Sequence, residues 1–429
     1  MRPGRHSPLT EQPAISITLR VTGTGEATRA TAAVPTEHYA EITMKLYFDD
    51  QDFDGQLQRS VGKADSAMAN VGECLSIAGQ ITPGNRDSWY LAWSGFAAHL
   101  ADQGQTALAA GHRVSARSVL LRAAEYFRQA FFYHRDDLDG KELRSAYASS
   151  VQAFQDALPL LDHPAEVLTG GLSGYLFTPR KADGRRPALL HIGGYDGTAE
   201  ELYASAGPAL ERGYIFAAVD GPGQGSMLYD QRIPMRPDWE AVVPGMVDAL
   251  IRHPQVDPDR IVLIGRSFGG LLAPRGASAE HRLAAMVVDP GQLDIGSAIM
   301  NRLGELGKHL DDPAADDQFE SLLNHPAQRA FLAPRMVTHG LTSVREYFRD
   351  LLRYTNEDTA SEITSPSFVT DNETDTVSVG QGKALFDRLT CIKEFRLFTK
   401  AEGAEGHCEG MAPIVFWTAA FDWLDGLLA

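Results

Sequence analysis

Between residues 44 and about 161 the apolar positions recur three and four apart, over 55–78, 88–104, 107–133 and 141–158, the period of helices that bury one face. Pro83-Gly84-Asn85 and Asp136-Asp137-Leu138-Asp139-Gly140 interrupt this period with turn chemistry, so the stretch reads as a helical module. After Pro164 the pattern shortens. Brief β-rich runs at 174–178, 187–192, 214–219 and 260–264 are separated by glycine and proline, and helical periods fall between the last three. One of these starts at Thr198-Ala199-Glu200-Glu201, a capping-box arrangement ahead of 202–212. Another covers 237–253, with Pro237 where a helix can begin. Strands at 284–288, 367–370 and 394–398 and a closing helix over 413–428 complete the series. Strands that alternate with helices are covered on both faces, which predicts an α/β fold with a doubly wound, mostly parallel sheet. The expected organisation is a tail or arm (1–43, with one strand-like alternation at 15–21), a helical cap module (44–163) and a catalytic domain (164–429). The catalytic domain carries a helical, acidic insertion at about 291–364 that is placed to form part of a lid.

Composition narrows the function classes. The net charge of −17 is spread along the chain, and no basic patch of the size a polyphosphate backbone needs is present, which argues against nucleic acid as a partner. Cys74, Cys391 and Cys408 are far apart, without zinc or redox spacing, and no metal-binding motif appears, so neither metal nor cofactor is expected. The basic residues near Met1 precede no apolar core, and no apolar run approaches the roughly twenty residues of a membrane span. A cytoplasmic protein without membrane contact is the expectation.

The chemistry-bearing segment is Gly265-Arg266-Ser267-Phe268-Gly269, entered from a buried strand and left through an apolar helix start, Leu271-Leu272-Ala273. This is the strand–turn–helix context of a nucleophile elbow, where a serine sits on a strained turn and neighbouring side chains must be minimal. A serine hydroxyl needs a base, and the base needs an acid that holds its tautomer. Of the thirteen histidines only His407 lies beyond the late strands, in a glycine-rich loop after the strand at 394–398. Three carboxylates, Asp371, Glu373 and Asp375, follow the strand at 367–370. Asp375 is preferred as the acid because about four residues are needed to turn the chain back toward the histidine, while Asp371 at the strand end suits a turn.

Oxyanion donors are expected from the backbone N–H of Phe268 and from the loop His191-Ile192-Gly193-Gly194-Tyr195-Asp196-Gly197, with Tyr195 favoured over Gly194. Asp220-Gly221-Pro222-Gly223-Gln224-Gly225 lacks the Lys and Ser/Thr of a phosphate loop and reads as a tight loop beside the site mouth. In the helical module Trp89, Trp93, Tyr126, Phe127, Phe131, Phe132, Tyr133 and His134 concentrate aromatic surface, either as packing between helices or as the lining of an aromatic substrate pocket.

Together the helical module, Gly-Gly-Tyr-Asp (193–196), Asp-Gly-Pro-Gly-Gln-Gly (220–225), Gly-Arg-Ser-Phe-Gly (265–269) and Glu-Gly-Ala-Glu-Gly-His-Cys-Glu (402–409) resemble an esterase family. That family includes the fermentation-respiration switch protein, 2,6-dihydroxypseudooxynicotine hydrolase and fungal polyketide-shortening hydrolases of melanin pathways. The resemblance, over about 45–429, implies an α/β-hydrolase fold under a helical cap, commonly a homodimer, with Ser267, Asp375 and His407 as triad. It implies hydrolysis of a carbonyl compound, an ester or a carbon–carbon bond beside a ketone, in a small aromatic or polyketide-like substrate. Asp196, Tyr126, His134 and Asp294 are candidate substrate-binding residues, with Asp289 a further acid near the pocket. A cyclising acyltransferase or thioesterase and a catalytically silent ligand receptor are the other functions this frame accommodates.

Overall fold

The computed structural model describes residues 44–181 and 184–428 and, before them, only a short antiparallel strand pair, Ser16–Thr18 with Thr31–Ala33. The rest of the expected alternation at 15–21 lies outside the described residues. The helical module consists of α1 (Gln51–Val61), α2 (Val71–Ala78), α3 (Arg86–Ala109), α4 (Arg113–Phe131) and α5 (Lys141–Ala157). The single period expected over 55–78 is two helices: α1 ends at Val61, a turn follows, and the Asn70 side chain, accepting from the N–H groups of Gly72 and Glu73, starts α2. Likewise the period over 107–133 is cut at Gly111, whose φ of +79° ends the preceding helix and lets α4 begin at Arg113.

Beyond the module, β1 (Ala165–Leu168), β2 (Ser173–Phe177), β3 (Arg186–Ile192), β4 (Ile215–Asp220), β5 (Val256–Arg266), β6 (Leu283–Asp289), β7 (Ser367–Asn372) and β8 (Lys393–Phe398) form an eight-stranded sheet. Its spatial order is β8-β7-β6-β5-β3-β4-β2-β1. Pairing is parallel from β4 through β8, and β1 and β2 run antiparallel at one edge. Strand β1 was not expected. It is an edge strand with Glu166 and Val167 exposed, so it lacks the buried alternation by which the others are recognised.

The period of two divides each central strand between two cores. Leu189, Val262, Ile264, Ala285 and Val287 face a cluster shared with the helical module and the C-terminal helix Pro413–Leu428. Leu190, Ile261, Leu263, Met286 and Val288 face a second cluster built from the helices Val243–Leu250 and Gly269–Ala277 and the inserted segment. Parallel strands can be apolar on both faces only because both are covered. The segment between β6 and β7 has Ile295–Arg302, Pro326–Thr338 and Val344–Leu351 as its main helices. Among the described residues no helix is long and apolar enough to cross a membrane. The loops after β3, β5, β7 and β8 emerge at the same edge of the parallel sheet, where a ligand crevice forms in this class of topology.

Candidate active site

At the end of β5 the backbone turns sharply into the helix Gly269–Ala277, and Ser267 at the turn has φ of +57°, a left-handed conformation that a serine adopts only when its surroundings impose it. The imposing groups are close. The Ser267 N–H donates to the Asp289 carbonyl at 2.8 Å. A side chain on Gly265 would collide with the Gly269 carbonyl, and one on Gly269 with the carbonyls of Ile192 and Gly193. Both glycines of the pentapeptide are therefore required by contact.

His407 follows Gly406 in a short 3-10 turn after β8, and its Nε2 lies 2.8 Å from Ser267 Oγ. Its Nδ1 lies 2.8 Å from Asp375 Oδ2. The Nδ1–H thus donates to the carboxylate, leaving Nε2 to accept from the hydroxyl. The other Asp375 oxygen accepts from the Val377 and Ser378 N–H groups, at 2.7 and 3.3 Å. The two loops are tied together directly: Thr374 Oγ1 accepts from the Gly406 N–H and Asn372 Nδ2 donates to the Ala404 carbonyl. Asp371 instead turns away, accepting from the N–H groups of Asn372 and Lys383.

Electrostatics follow this geometry. Burial pushes the Asp375 carboxyl up, but the His407 ring and the two amides outweigh burial and hold it below the ordinary carboxylate range. For His407 burial works against the imidazolium, and the adjacent Asp375 charge overcomes it and lifts the ring well above its usual value.

The Gly194 backbone passes beside Ser267: a Cβ there would stand 2.8 Å from Oγ and 3.1 Å from the Phe268 nitrogen. A side chain there would fill the space beside the Ser267 hydroxyl. Neither the Phe268 nor the Tyr195 N–H is used in a hydrogen bond within the described residues. Gln224, in the loop after β4, donates to the carbonyls of Gly193 and Gly194 at 2.7 and 3.1 Å, which turns those oxygens away from the serine. The glycine-rich loop at 220–225 therefore braces the candidate oxyanion loop. The Tyr195 and Phe268 rings stack with centroids 4.0 Å apart.

These groups open on a cavity of about 2010 Å³ between the helical module, the sheet edge and the insertion. Phe132, Tyr133 and Asp196 line it; Tyr126, His134, Asp289 and Asp294 do not. Tyr126 is packed in the module core, donating to Glu73 and accepting from the Asn70 N–H. His134 stacks edge-on against Tyr90. Asp294 caps the helix Ile295–Arg302, accepting from the N–H and hydroxyl of Ser297. Most of the aromatic concentration, Trp89 and Trp93 included, is interhelical packing.

Three features escaped the sequence. Arg266, the variable residue before Ser267, donates to Asp289 at 2.7 Å and to the Cys408 carbonyl at 2.8 Å, fastening the histidine loop to the serine turn from behind. Its position inside the pentapeptide was the available signal. Glu201, expected to close a capping box, only donates its backbone N–H to Thr198 Oγ1; its carboxylate instead pairs with Arg59 at 2.6 Å and Lys63 at 2.6 Å, across the seam between module and sheet. Lys63 also meets Glu125, which Arg128 grips in turn, and Arg59 reaches Asp196 at 3.0 Å. Burial pushes the Asp196 carboxyl up, but Arg59 and Arg135 hold it down to about 2. The third is His339, whose hydrogen bond to Tyr195 joins the insertion to the candidate oxyanion loop.

A doubly wound sheet with a strained serine at the end of a central strand and a late aspartate and histidine converging on it defines the α/β-hydrolase class. The profile of the alpha/beta hydrolase family matches residues 188–385. The chain is 30% identical over 363 residues to the hydrolase acrC of Aspergillus aculeatus, covering 76% of this chain and 83% of that protein. It is 34% identical over 274 residues to the 20-hydroxy-prefusarin hydrolase FUS2 of Gibberella moniliformis, covering 61% of this chain and 65% of that one. The solved 2,6-dihydroxy-pseudo-oxynicotine hydrolase shares the fold, with a TM-score of 0.66 at 24% identity over 86% of this chain and 95% of its own. This chain belongs to the α/β-hydrolase family.

Proposed function

We propose that the protein is a serine hydrolase that cleaves an ester, or a carbon–carbon bond beside a ketone, in an aromatic or polyketide-like small molecule. The observation that carries this reading is the continuous line of hydrogen bonds from Asp375 through His407 to a serine held in a strained turn. Ser267 Oγ attacks the carbonyl carbon as His407 Nε2 takes the hydroxyl proton, and Asp375 stabilises the imidazolium that results. The carbonyl oxygen, now an anion, is received by the N–H groups of Phe268 and Tyr195. His407 then returns the proton to the leaving group, an alkoxide oxygen or an enolate carbon, and an acyl-enzyme remains. Water, deprotonated by His407, attacks the acyl carbon and releases a carboxylic acid and free Ser267.

The aromatic or polyketide-like substrate is supported by the cavity wall, which includes Phe132 and Tyr133 of the module and Phe331 and Ile299 of the insertion, and by the relatives, one of which is named for its action on 20-hydroxy-prefusarin. The test is a fluorophosphonate probe with mass mapping. The expected result is a single adduct on Ser267 with concurrent loss of hydrolysis of 4-nitrophenyl esters. Full activity in Ser267→Ala would overturn the reading.

A further inference from the structure

The inserted segment carries a second hydroxyl–imidazole–carboxylate line. Tyr195 Oη lies 2.8 Å from His339 Nε2, and His339 Nδ1 lies 2.7 Å from Asp350 Oδ2. His339 ends the helix Pro326–Thr338 and Asp350 lies in the helix Val344–Leu351, so both partners of the tyrosine belong to the insertion. The His339 side chain is fully enclosed, with the rings of Tyr347 and Tyr354 meeting it edge-on at 5.1 and 5.0 Å. In that enclosure the Nδ1–H is committed to Asp350, which leaves Nε2 as the acceptor for the tyrosine hydroxyl. Asp350 in turn is gripped by Arg353 at 2.8 Å.

Tyr195 is thus held at two places. Its ring lies on Phe268, and its hydroxyl is anchored 2.8 Å from a buried imidazole. The two residues whose rings stack are the two proposed as oxyanion donors, and neither backbone N–H is used in a hydrogen bond among the described residues. Fixing the side chain of Tyr195 fixes the direction of its amide, because a loop containing Gly193, Gly194 and Gly197 has little stiffness of its own. We propose that Tyr195, His339 and Asp350 form a positioning relay through which the inserted segment 291–364 sets the oxyanion site, so that the insertion is part of the catalytic geometry as well as a cover. This inference rests on the Ser267 reading. It assigns no proton transfer to the relay; its role is to hold a dipole where charge develops, and preorganised donors of this kind stabilise the transition state more than the ground state.

The experiment uses the full chain with a 4-nitrophenyl ester as substrate and phenylboronic acid as a probe that mimics the tetrahedral adduct on serine. Tyr195→Phe removes only the hydroxyl, and His339→Leu removes the acceptor. Each is expected to lower kcat roughly ten- to hundredfold and to weaken boronate inhibition in parallel, with KM within about threefold of the parent. His339→Gln keeps an acceptor for the tyrosine and is expected to recover most of the loss. A thermal shift without a change in kcat or in boronate affinity would overturn the proposal, as would a glutamine variant no better than the leucine one. Should His339→Leu not fold, Tyr195→Phe and His339→Gln decide the matter on the same readouts. Ser267→Ala run alongside separates the two readings: inactivity there with unaltered Tyr195→Phe kinetics overturns the relay alone, and activity there overturns the serine mechanism.

Discussion

Two lines of the same three functional groups run through this molecule, and their surroundings make them chemically opposite. In the loops of the core, a hydroxyl, His407 and Asp375 meet at the mouth of the cavity, with a quarter of the His407 side chain accessible (26%) and its ring lifted well above the ordinary imidazole value, burial being overcome by the aspartate. In the insertion, Tyr195, His339 and Asp350 meet at the same distances, but burial of His339 prevails over its aspartate and pushes the ring down. One imidazole is set to accept a proton and the other to stay neutral. The hydroxyls differ as well. Ser267 projects from a strained turn into open space, whereas the Tyr195 hydroxyl is spent on its histidine and pushed far from ionising by burial. A constellation alone does not define a role; backbone strain and enclosure do.

The contrast can be broken most sharply at Ser267, the proposed nucleophile. Ser267→Ala should cost about 10⁶-fold in kcat, while no single change in the insertion relay approaches that. Next is Asp375→Asn, expected to lower kcat about 10⁴-fold by favouring the wrong tautomer, against a change within about threefold for Asp371→Asn. Steady-state kinetics on both variants decides between the two acids. The pH profile sharpens the comparison further. Because the Asp375 charge raises His407, the ring stays protonated to higher pH than a free imidazole of about 6.5, so kcat/KM should rise with pH along a limb centred above that value. In Asp375→Asn the same limb should move down, since the raising charge is gone, and an unmoved limb would assign it to another group. The smallest effect belongs to Asp350→Asn. The amide can reverse the relay, donating to Nδ1 so that Nε2–H donates to Tyr195, and kcat should fall no more than about fivefold.

The sequence exposed the parts of this site that rest on local rules and concealed those that rest on meetings between distant segments. The meeting of Ser267 with His407 was legible because an elbow requires glycine on both sides of its serine, and because a candidate base is sought after the last strands. Asp375 was separable from Asp371 by the length of chain needed to turn back. Helices α1 and α2 were merged because apolar residues continue across 62–70, which is turn in the structure, and the cap that starts α2 is the single side chain of Asn70. Glu201 was assigned to a local cap because its partners Arg59 and Lys63 lie some 140 residues upstream, a distance no periodicity reports. His339 carried no signal for the same reason: its partner Tyr195 stands 144 positions away, and the residues between give no hint that the insertion returns to the oxyanion loop.

The knot of Arg59, Lys63, Glu125, Arg128 and Glu201 has a bearing on which parts of this chain can be exchanged. Charges removed from water on both sides of a seam are tolerable only in each other's company, and leaving one side uncompensated costs about 3–5 kcal/mol. The helical module is therefore not an exchangeable accessory. A chimera that takes its helices from a relative and its sheet from this chain keeps Glu201 and Asp196, and is expected to fold only if Arg59, Lys63 and Arg128 are carried over onto the borrowed helices.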